Sequence, residues 1–462
     1  MNIDTSIFKA YDIRGVYPDQ LNEELAYKIA QAYVKFIKSR KESESNTTGR
    51  ERLSLVVGKD VRLSGPVLLE AVKNGLKDCG ADVIDIGTVT TDMMYFGVVH
   101  TEADGGLMVT ASHNPKEYNG LKLVRAKSAP ISGDSGIYEI RDIAVSGYEF
   151  KSPNKGNETQ VDIFEPYLTK VLSVIDTAKI KPLKIVANCN FGAIGRNIRE
   201  TAKRLNLNIT YLNEDPNGNF PKGRPDPLIP TNRDETIALV KSTRADFGVM
   251  WDADADRCFF VDENGRFLSG YFTTAVLAQY IIKKHGPGKI LVDSKLNWAT
   301  KDVVESLGGA TDVTRTGHSF YKEKMREINA LFGGEVSAHY YFRDFYYLDN
   351  GLIPFLLILE MLSQSSQKMS EIYEPLFGKI FIIEETNFEV KSVEEVLKAV
   401  RQKYADAKFS ELDGVSLEYP TWRCSVRASN TEPIIRLNLE ARSKEVMQTK
   451  QQELIELIKK FA

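Results

Sequence analysis

A chain of 462 residues is longer than one hydrophobic core usually spans, which predicts roughly three to four domains of about 100 to 150 residues. With 42% hydrophobic and 27% charged residues the composition is that of a globular chain, and a net charge of -3 gives no long-range attraction to nucleic acid, so an anionic ligand must be held locally. No basic start with an apolar core precedes Lys9, and no run reaches the roughly 20 apolar residues of a membrane span, which predicts a cytoplasmic protein.

In chain order, Phe8-Lys9-Ala10-Tyr11-Asp12-Ile13-Arg14-Gly15 is a short segment ending at glycine that should display Arg14 on a loop, followed by a helical pattern from Leu21 to Ile37. The polar stretch Lys41 to Arg52 reads as a surface connection. Strand, helix, strand and helix are then expected at Leu53 to Val57, Pro66 to Cys79, Val83 to Ile86 and Asp92 to His100, with a further strand at Leu107 to Val109. The alternation restarts at Lys184 to Ala187, continues through a helix at Arg196 to Leu205 and a strand at Phe247 to Met250, and restarts again at Ile290 to Val292. These restarts suggest tandem α/β units, although no residue identity repeats between them. The last segment is α+β, with strands in Ile380 to Val390 and Thr421 to Leu439 and helices at Val393 to Ala405 and Glu445 to Phe461. Cys79, Cys189, Cys258 and Cys424 lack paired spacing and read as core thiols of a reducing compartment.

Four loops carry groups capable of chemistry. Thr110-Ala111-Ser112-His113-Asn114-Pro115 leaves the strand at Leu107 to Val109 and crowds a hydroxyl, an imidazole and an amide into one turn; on local sequence alone an ordinary Ser/Asn turn is the favoured reading. Asp252, Asp254 and Asp256, in Asp252-Ala253-Asp254-Ala255-Asp256-Arg257, follow an apolar strand and repel one another unless a cation sits among them. Oxygen-only donors favour Mg²⁺, the alternative being a solvated acidic turn. Glu335, Ser337 and His339, if extended, share one side of a strand and suit sugar hydroxyls, against a solvated edge strand; the aromatic residues from Tyr340 to Tyr347 read as core. Arg427 to Arg436 gathers two arginines with Ser429, Asn430 and Thr431, a set able to hold a phosphate or to form an ordinary turn. Lys122, Lys295 and His318 are individually unremarkable.

Taken in this order, the stretches Tyr11 to Gly15, Thr110 to Pro115, Asp252 to Arg257, Gly334 to His339 and Arg427 to Pro433 resemble the N-terminal, phosphoserine, metal, sugar and phosphate loops of the α-D-phosphohexomutase family, in its phosphomannomutase/phosphoglucomutase branch, over nearly the whole chain. The resemblance implies three tandem mixed α/β-sheet domains plus a C-terminal α+β domain around a central cleft, at residues 1–157, 158–266, 267–375 and 376–462. It implies a phosphoserine at Ser112 that completes a Mg²⁺ site with Asp252, Asp254 and Asp256, charge stabilisation by Arg14, Lys122 and Arg257, and Lys122 as first choice for the general acid/base. His113 would orient the serine loop, and Tyr11, Lys295, His318 and His339 would belong to the site. Glu335 and Ser337 would read sugar hydroxyls, while Arg427, Ser429, Asn430, Thr431 and Arg436 would hold the non-reacting phosphate.

The activity so implied is interconversion of mannose 6-phosphate and mannose 1-phosphate through a hexose 1,6-bisphosphate that acts as intermediate and activator. Glucose phosphates are expected as further substrates, since the epimers differ at one hydroxyl. The alternatives are phosphoglucomutase as the main activity, a non-catalytic phosphosugar-binding protein, or a metal-dependent phosphatase. Nucleic acid and membrane partners are not expected, and either a monomer or a dimer is compatible with the pattern. Ala253, Ala255 and Ala338 stand where the family commonly has glycine, and Asn188-Cys189-Asn190-Phe191-Gly192 departs from the family's Asp-containing turn.

Overall fold

The computed structural model describes residues 3–43, 52–428 and 434–461. The chain forms two compact units, Met1–Phe267 with Asp344–Ser366, and Leu268–Arg343 with Gln367–Ala462.

In the first unit, six strands form one sheet: β1 (Ile13–Val16), β2 (Ser54–Lys59), β3 (Asp82–Thr88), β4 (Gly105–Val109), β5 (Tyr118–Arg125) and β6 (Glu158–Gln160), in the order β1-β5-β4-β2-β3-β6. Strands β4, β2, β3 and β6 run parallel, and β5 is antiparallel to both β4 and β1. Every residue of β4 is buried, as expected of a central parallel strand, which has no solvent face to alternate with. Helix α1 (Glu23–Ser43) buries Leu25, Ala26, Ile29, Ala30, Tyr33 and Ile37 at helical spacing, and Asn22 Oδ1 accepts from Leu25 N at 3.0 Å to satisfy its start. Helix α2 (Gly65–Asp78) carries Pro66 in its first turn, where the fixed φ of proline suits it. The polar connection expected at Lys41 to Arg52 lies largely outside the described residues, α1 itself reaching Ser43.

A second sheet in this unit joins β7 (Lys184–Asn188), β8 (Asn208–Leu212), β9 (Phe247–Trp251) and β10 (Cys258–Asp262), with β7 parallel to β8 and β9, and β10 antiparallel to β9. In the second unit, Lys289–Asp293 is parallel to Ala310–Thr314 and to Phe332–Gly334, and Tyr340–Phe342 returns antiparallel to Phe332–Gly334. The three sheets therefore repeat one arrangement: two parallel crossovers, then an antiparallel return. In each, the turn between the third strand and its return carries a loop singled out by sequence. Those turns hold Ser112 after β4, the three aspartates after β9, and Glu335 to His339 after Phe332–Gly334.

The remaining sheet is antiparallel throughout, pairing Phe381–Glu389, Ile434–Ala441, Trp422–Ala428, Val415–Glu418 and Lys408–Ser410 in that order. Helices Val393–Lys403 and Lys444–Lys459 supply Val396, Val400, Leu454 and Ile458 to its core. All four cysteines are buried and unpaired, so the reading of them as core thiols holds.

Arg14 corrects an expectation. It lies within β1 rather than on a loop, because Ile13–Val16 pairs residue for residue with Leu121 to Tyr118 on β5.

Candidate functional site

The turn after β4 opens with Thr110 and places Ser112 at φ 49°, a left-handed conformation that a serine adopts only at some cost. The turn is tied down on both sides. Ser112 N donates to Thr110 Oγ1 at 2.9 Å, and Thr110 Oγ1 donates to Asp60 Oδ2 at 2.7 Å. Ser112 Oγ donates to Asp252 Oδ2 at 2.8 Å and lies 3.1 Å from His113 Nδ1, so the hydroxyl already meets the acidic loop.

Asp252, Asp254 and Asp256 are fully buried, and each offers a carboxylate oxygen within 4.8 Å of the others. Burial pushes the Asp252 carboxyl well above its usual range, and the neighbouring Asp256 and Asp254 push it further; Arg257 and the Ser112 hydrogen bond oppose them. Asp254 Oδ1 has no hydrogen-bond partner among the described residues. Three mutually repelling oxygen donors, one of them unsatisfied, fit the expected hard divalent cation, and burial rules out the alternative of a solvated acidic turn.

Lys122 projects from β5 into this cluster. Its Nζ lies 2.8 Å from Asp254 Oδ2 and also contacts Asp256 Oδ2. Burial acts to lower the pKa of the ammonium, but Asp254 and Asp256 outweigh that and raise it. Arg14 Nε donates to Asp12 Oδ2 at 2.7 Å and its NH1 to Asn114 Oδ1 at 2.8 Å, while Arg257 Nε lies 3.8 Å from Asp252 Oδ2. Desolvation, followed by the charges of Arg257, Arg14 and Arg224, holds the His113 imidazole well below its ordinary pKa, hence neutral at physiological pH. Tyr11 is half-buried just before β1, near enough to bear on the charge of Arg14.

In the second unit, Glu335 to Ala338 form a tight turn rather than the expected extended strand: Ala338 N donates to Glu335 O at 3.0 Å, and Glu335 N to His339 O at 3.0 Å. The strand that leads into it, Phe332–Gly334, has a neighbour on each side, so it is not an edge. The turn still gathers the three side chains. Ser337 Oγ donates to Glu335 Oε2 at 2.9 Å and lies 3.2 Å from His339 Nδ1. Burial pushes the Glu335 carboxyl up, but His339, Tyr341 and Lys295 outweigh it and hold the group at about 2. Lys295 Nζ is 3.3 Å from Asp293 Oδ2, and His318, buried at the start of its helix, lies 3.3 Å from Lys322 Nζ. Tyr340, Tyr341 and Phe342 are buried, as expected of core aromatics.

Arg427 and Arg436 face each other directly across two strands with Glu385 between them, at 2.8 Å from Arg427 NH2 and 3.7 Å from Arg436 NH1. Ser429, Asn430 and Thr431 lie outside the described residues.

Sequence profiles of phosphoglucomutase/phosphomannomutase match four consecutive regions: alpha/beta/alpha domain I at residues 5–149, domain II at 165–265, domain III at 269–380 and the C-terminal domain at 385–457. The chain belongs to the phosphoglucomutase/phosphomannomutase family. A phosphomannomutase of Vibrio cholerae serotype O1 is 43% identical over 98% of both chains. A phosphohexose mutase of Xanthomonas campestris pv. campestris is 42% identical over 98% of this chain and 99% of its own. Among solved structures, a phosphoglucomutase/phosphomannomutase family protein from Burkholderia thailandensis superposes with a TM-score of 0.87 at 31% identity, covering 99% of this chain and 98% of its own. The family is one of isomerases, metal-dependent phosphohexomutases, and its four-domain α/β architecture with mixed sheets is the one described above.

Several residues that build this phosphohexomutase site carry no chemical signature in the sequence. Thr91 Oγ1 donates to Asp254 Oδ2 at 2.6 Å and Thr91 N to Asp254 O at 2.9 Å. Asn190 Nδ2 donates to Trp251 O at 2.6 Å, and Ala193 N to Ala253 O at 2.9 Å. The Asn188 to Gly192 turn, which departs from the family's pattern, therefore braces the acidic loop. A Cβ on Gly192 would stand 2.5 Å from Ala253 O, and one on Gly351 2.2 Å from Ala255 O, so the loop is packed between two glycines. Apart from their spacing after strands, nothing marks these residues.

Asp92, in the helix Thr91–His100, gives a pH prediction. Burial pushes its carboxyl up to about 7, against hydrogen bonds from Thr90 and Tyr167. In the unfolded chain the group titrates near an ordinary value of about 4, so between roughly pH 4 and 7 only the folded chain holds the proton. Its contribution to stability is complete below about pH 4 and lost as pH rises through about 7. Asp92→Asn should therefore show a smaller fall in unfolding midpoint than the parent between about pH 5 and 8, read by thermal denaturation.

Proposed function

We propose that the chain is a cytoplasmic phosphomannomutase that interconverts mannose 6-phosphate and mannose 1-phosphate, and also accepts glucose phosphates. The observation that carries the reading is the Ser112 hydroxyl held 2.8 Å from Asp252 inside a cluster of three buried aspartates and Lys122. The phosphomannomutase relatives favour the substrate. We place the domain boundaries at 1–157, 158–266, 267–375 and 376–462.

Ser112 carries a phosphoryl group. A free hydroxyl of a hexose monophosphate attacks it; the bond to Ser112 Oγ breaks, a bond to the sugar oxygen forms, and a hexose 1,6-bisphosphate results. The bisphosphate turns over and returns its other phosphoryl to Ser112, leaving the isomeric monophosphate. Lys122, an ammonium at rest, gives its proton to the departing Ser112 oxygen and regains one from the attacking sugar hydroxyl, while Arg14 and Arg257 neutralise the phosphoryl oxygens and His113, neutral, orients Ser112. Mg²⁺ held by Asp252, Asp254, Asp256 and an oxygen on Ser112 would supply further charge neutralisation. Glu335 and Ser337 bind sugar hydroxyls in either orientation, supported by Tyr11, Lys295, His318 and His339, and Arg427, Arg436, Ser429, Asn430 and Thr431 hold the phosphate that is not reacting.

With Mg²⁺ and a trace of hexose 1,6-bisphosphate, the purified chain should interconvert mannose 1- and 6-phosphate with kcat/KM at least equal to that for glucose 1-phosphate and well above that for glucosamine 1-phosphate. A preference for glucose 1-phosphate overturns the substrate, and release of inorganic phosphate in place of the isomer overturns the mutase reading.

A further inference from the structure

The Ser112 turn is shaped by a residue outside the set that touches substrate. Arg62 follows β2, and its side chain is fully buried. Its two terminal nitrogens serve four backbone carbonyls of a single loop. NH2 donates to Ser112 O and Asn114 O, each at 2.7 Å, and NH1 donates to Pro115 O at 2.6 Å and Tyr118 O at 2.9 Å. The Nε side faces Asp60 Oδ2 at 3.2 Å, the same oxygen that receives Thr110 Oγ1, whose own oxygen holds Ser112 N. The guanidinium and its carboxylate partner thus grip the turn from both its carbonyl and its amide side.

The support beneath Arg62 is equally specific. Its guanidinium lies 5.2 Å from the centre of the Phe220 ring, and its backbone bridges to Gly218, where a Cβ would stand 2.3 Å from Val61 O. A planar fork of five donors can serve four divergent acceptors at once; an ammonium, a point charge with three donors, cannot span them. Without the fork these carbonyls must find other partners, and the turn must reshape to reach them.

We propose that Arg62 is a positioning residue for phosphoryl transfer, fixing Ser112 Oγ against Asp252 by collecting the carbonyls of residues 112, 114, 115 and 118. The role rests on the mutase reading, because a position matters only to a group that reacts. A displacement of about 1 Å costs on the order of 100-fold in rate when the reacting atoms must be aligned.

The test uses full-length R62Q and R62K with Mg²⁺ and hexose 1,6-bisphosphate, read by steady-state kinetics and by hydrogen exchange of peptides covering residues 110–118. In R62Q, kcat should fall about 100-fold with KM changed by less than about threefold, and R62K should recover part of that loss. Exchange should quicken in residues 110–118 while β2 and β4 stay protected. Should R62Q melt below the assay temperature, R62K carries both measurements. The role is overturned by a kcat within about twofold of the parent, by unchanged exchange of 110–118, or by exchange that quickens equally across the whole sheet, the mark of a merely structural arginine. If the parent itself shows no mutase turnover, the functional reading falls, and the exchange result alone decides whether Arg62 positions the turn.

Discussion

Ser112→Ala should lower kcat by at least about 10⁴-fold on every hexose phosphate, the scale on which loss of a covalent group acts. The expectation follows from geometry. The Ser112 hydroxyl is buried, stands beside a neutral His113 and donates to Asp252 at 2.8 Å, and among the described residues no other hydroxyl donates to Asp252. Alanine keeps the same Cβ at φ 49°, and the four carbonyl bonds of Arg62 do not involve the side chain, so the variant should fold with the turn intact. A coupled spectrophotometric assay reads the loss, and circular dichroism verifies the fold. Full activity in this variant would remove the phosphoserine from the mechanism.

Lys122→Met should be the most damaging substitution for stability and should also slow turnover. The ammonium compensates two fully buried carboxylates, Asp254 and Asp256, and removing one partner of a buried ion pair costs about 3 to 5 kcal/mol. Methionine fills the space of the stem, so the loss is electrostatic in origin. Added Mg²⁺ should restore part of the unfolding midpoint, since a cation among the three aspartates relieves the same repulsion. It should not restore turnover, which falls by about 10² to 10⁴-fold with loss of the proton carrier. Equal stability of parent and variant without divalent ions would mean that the aspartates are not charged together.

The order of the loops was legible because each follows a strand whose apolar run is easily read: Leu107 to Val109 lies within β4, and Phe247 to Met250 within β9. What those loops do locally was not legible. Ser112 and the three aspartates become a site only when β4 and β9 bring their turns together, a matter of topology that residue identity does not record. The threefold recurrence of the sheet pattern showed in the sequence only as restarts of the strand–helix alternation, because no residue identity repeats between the units. Glu335 to His339 was expected to be extended because alternating polar residues fit a strand, yet Ala338 at φ 65° closes a turn. Ala255, at φ 58°, is likewise left-handed, so two alanines occupy conformations that explain the family's preference for glycine there. Arg14 was misplaced because a four-residue strand has too short an alternation to show. Arg62, Asn190 and Gly192 act on backbone groups, and Thr91 on a carboxylate distant in sequence, which leaves no local chemical pattern to find.

The mass of the intact protein and of its Ser112 peptide tests the central claim most directly. After incubation with Mg²⁺ and hexose 1,6-bisphosphate, one phosphoryl group should be found on Ser112; excess mannose 6-phosphate should discharge it without accumulation of inorganic phosphate. Mutase turnover with Ser112 unmodified throughout would contradict the account.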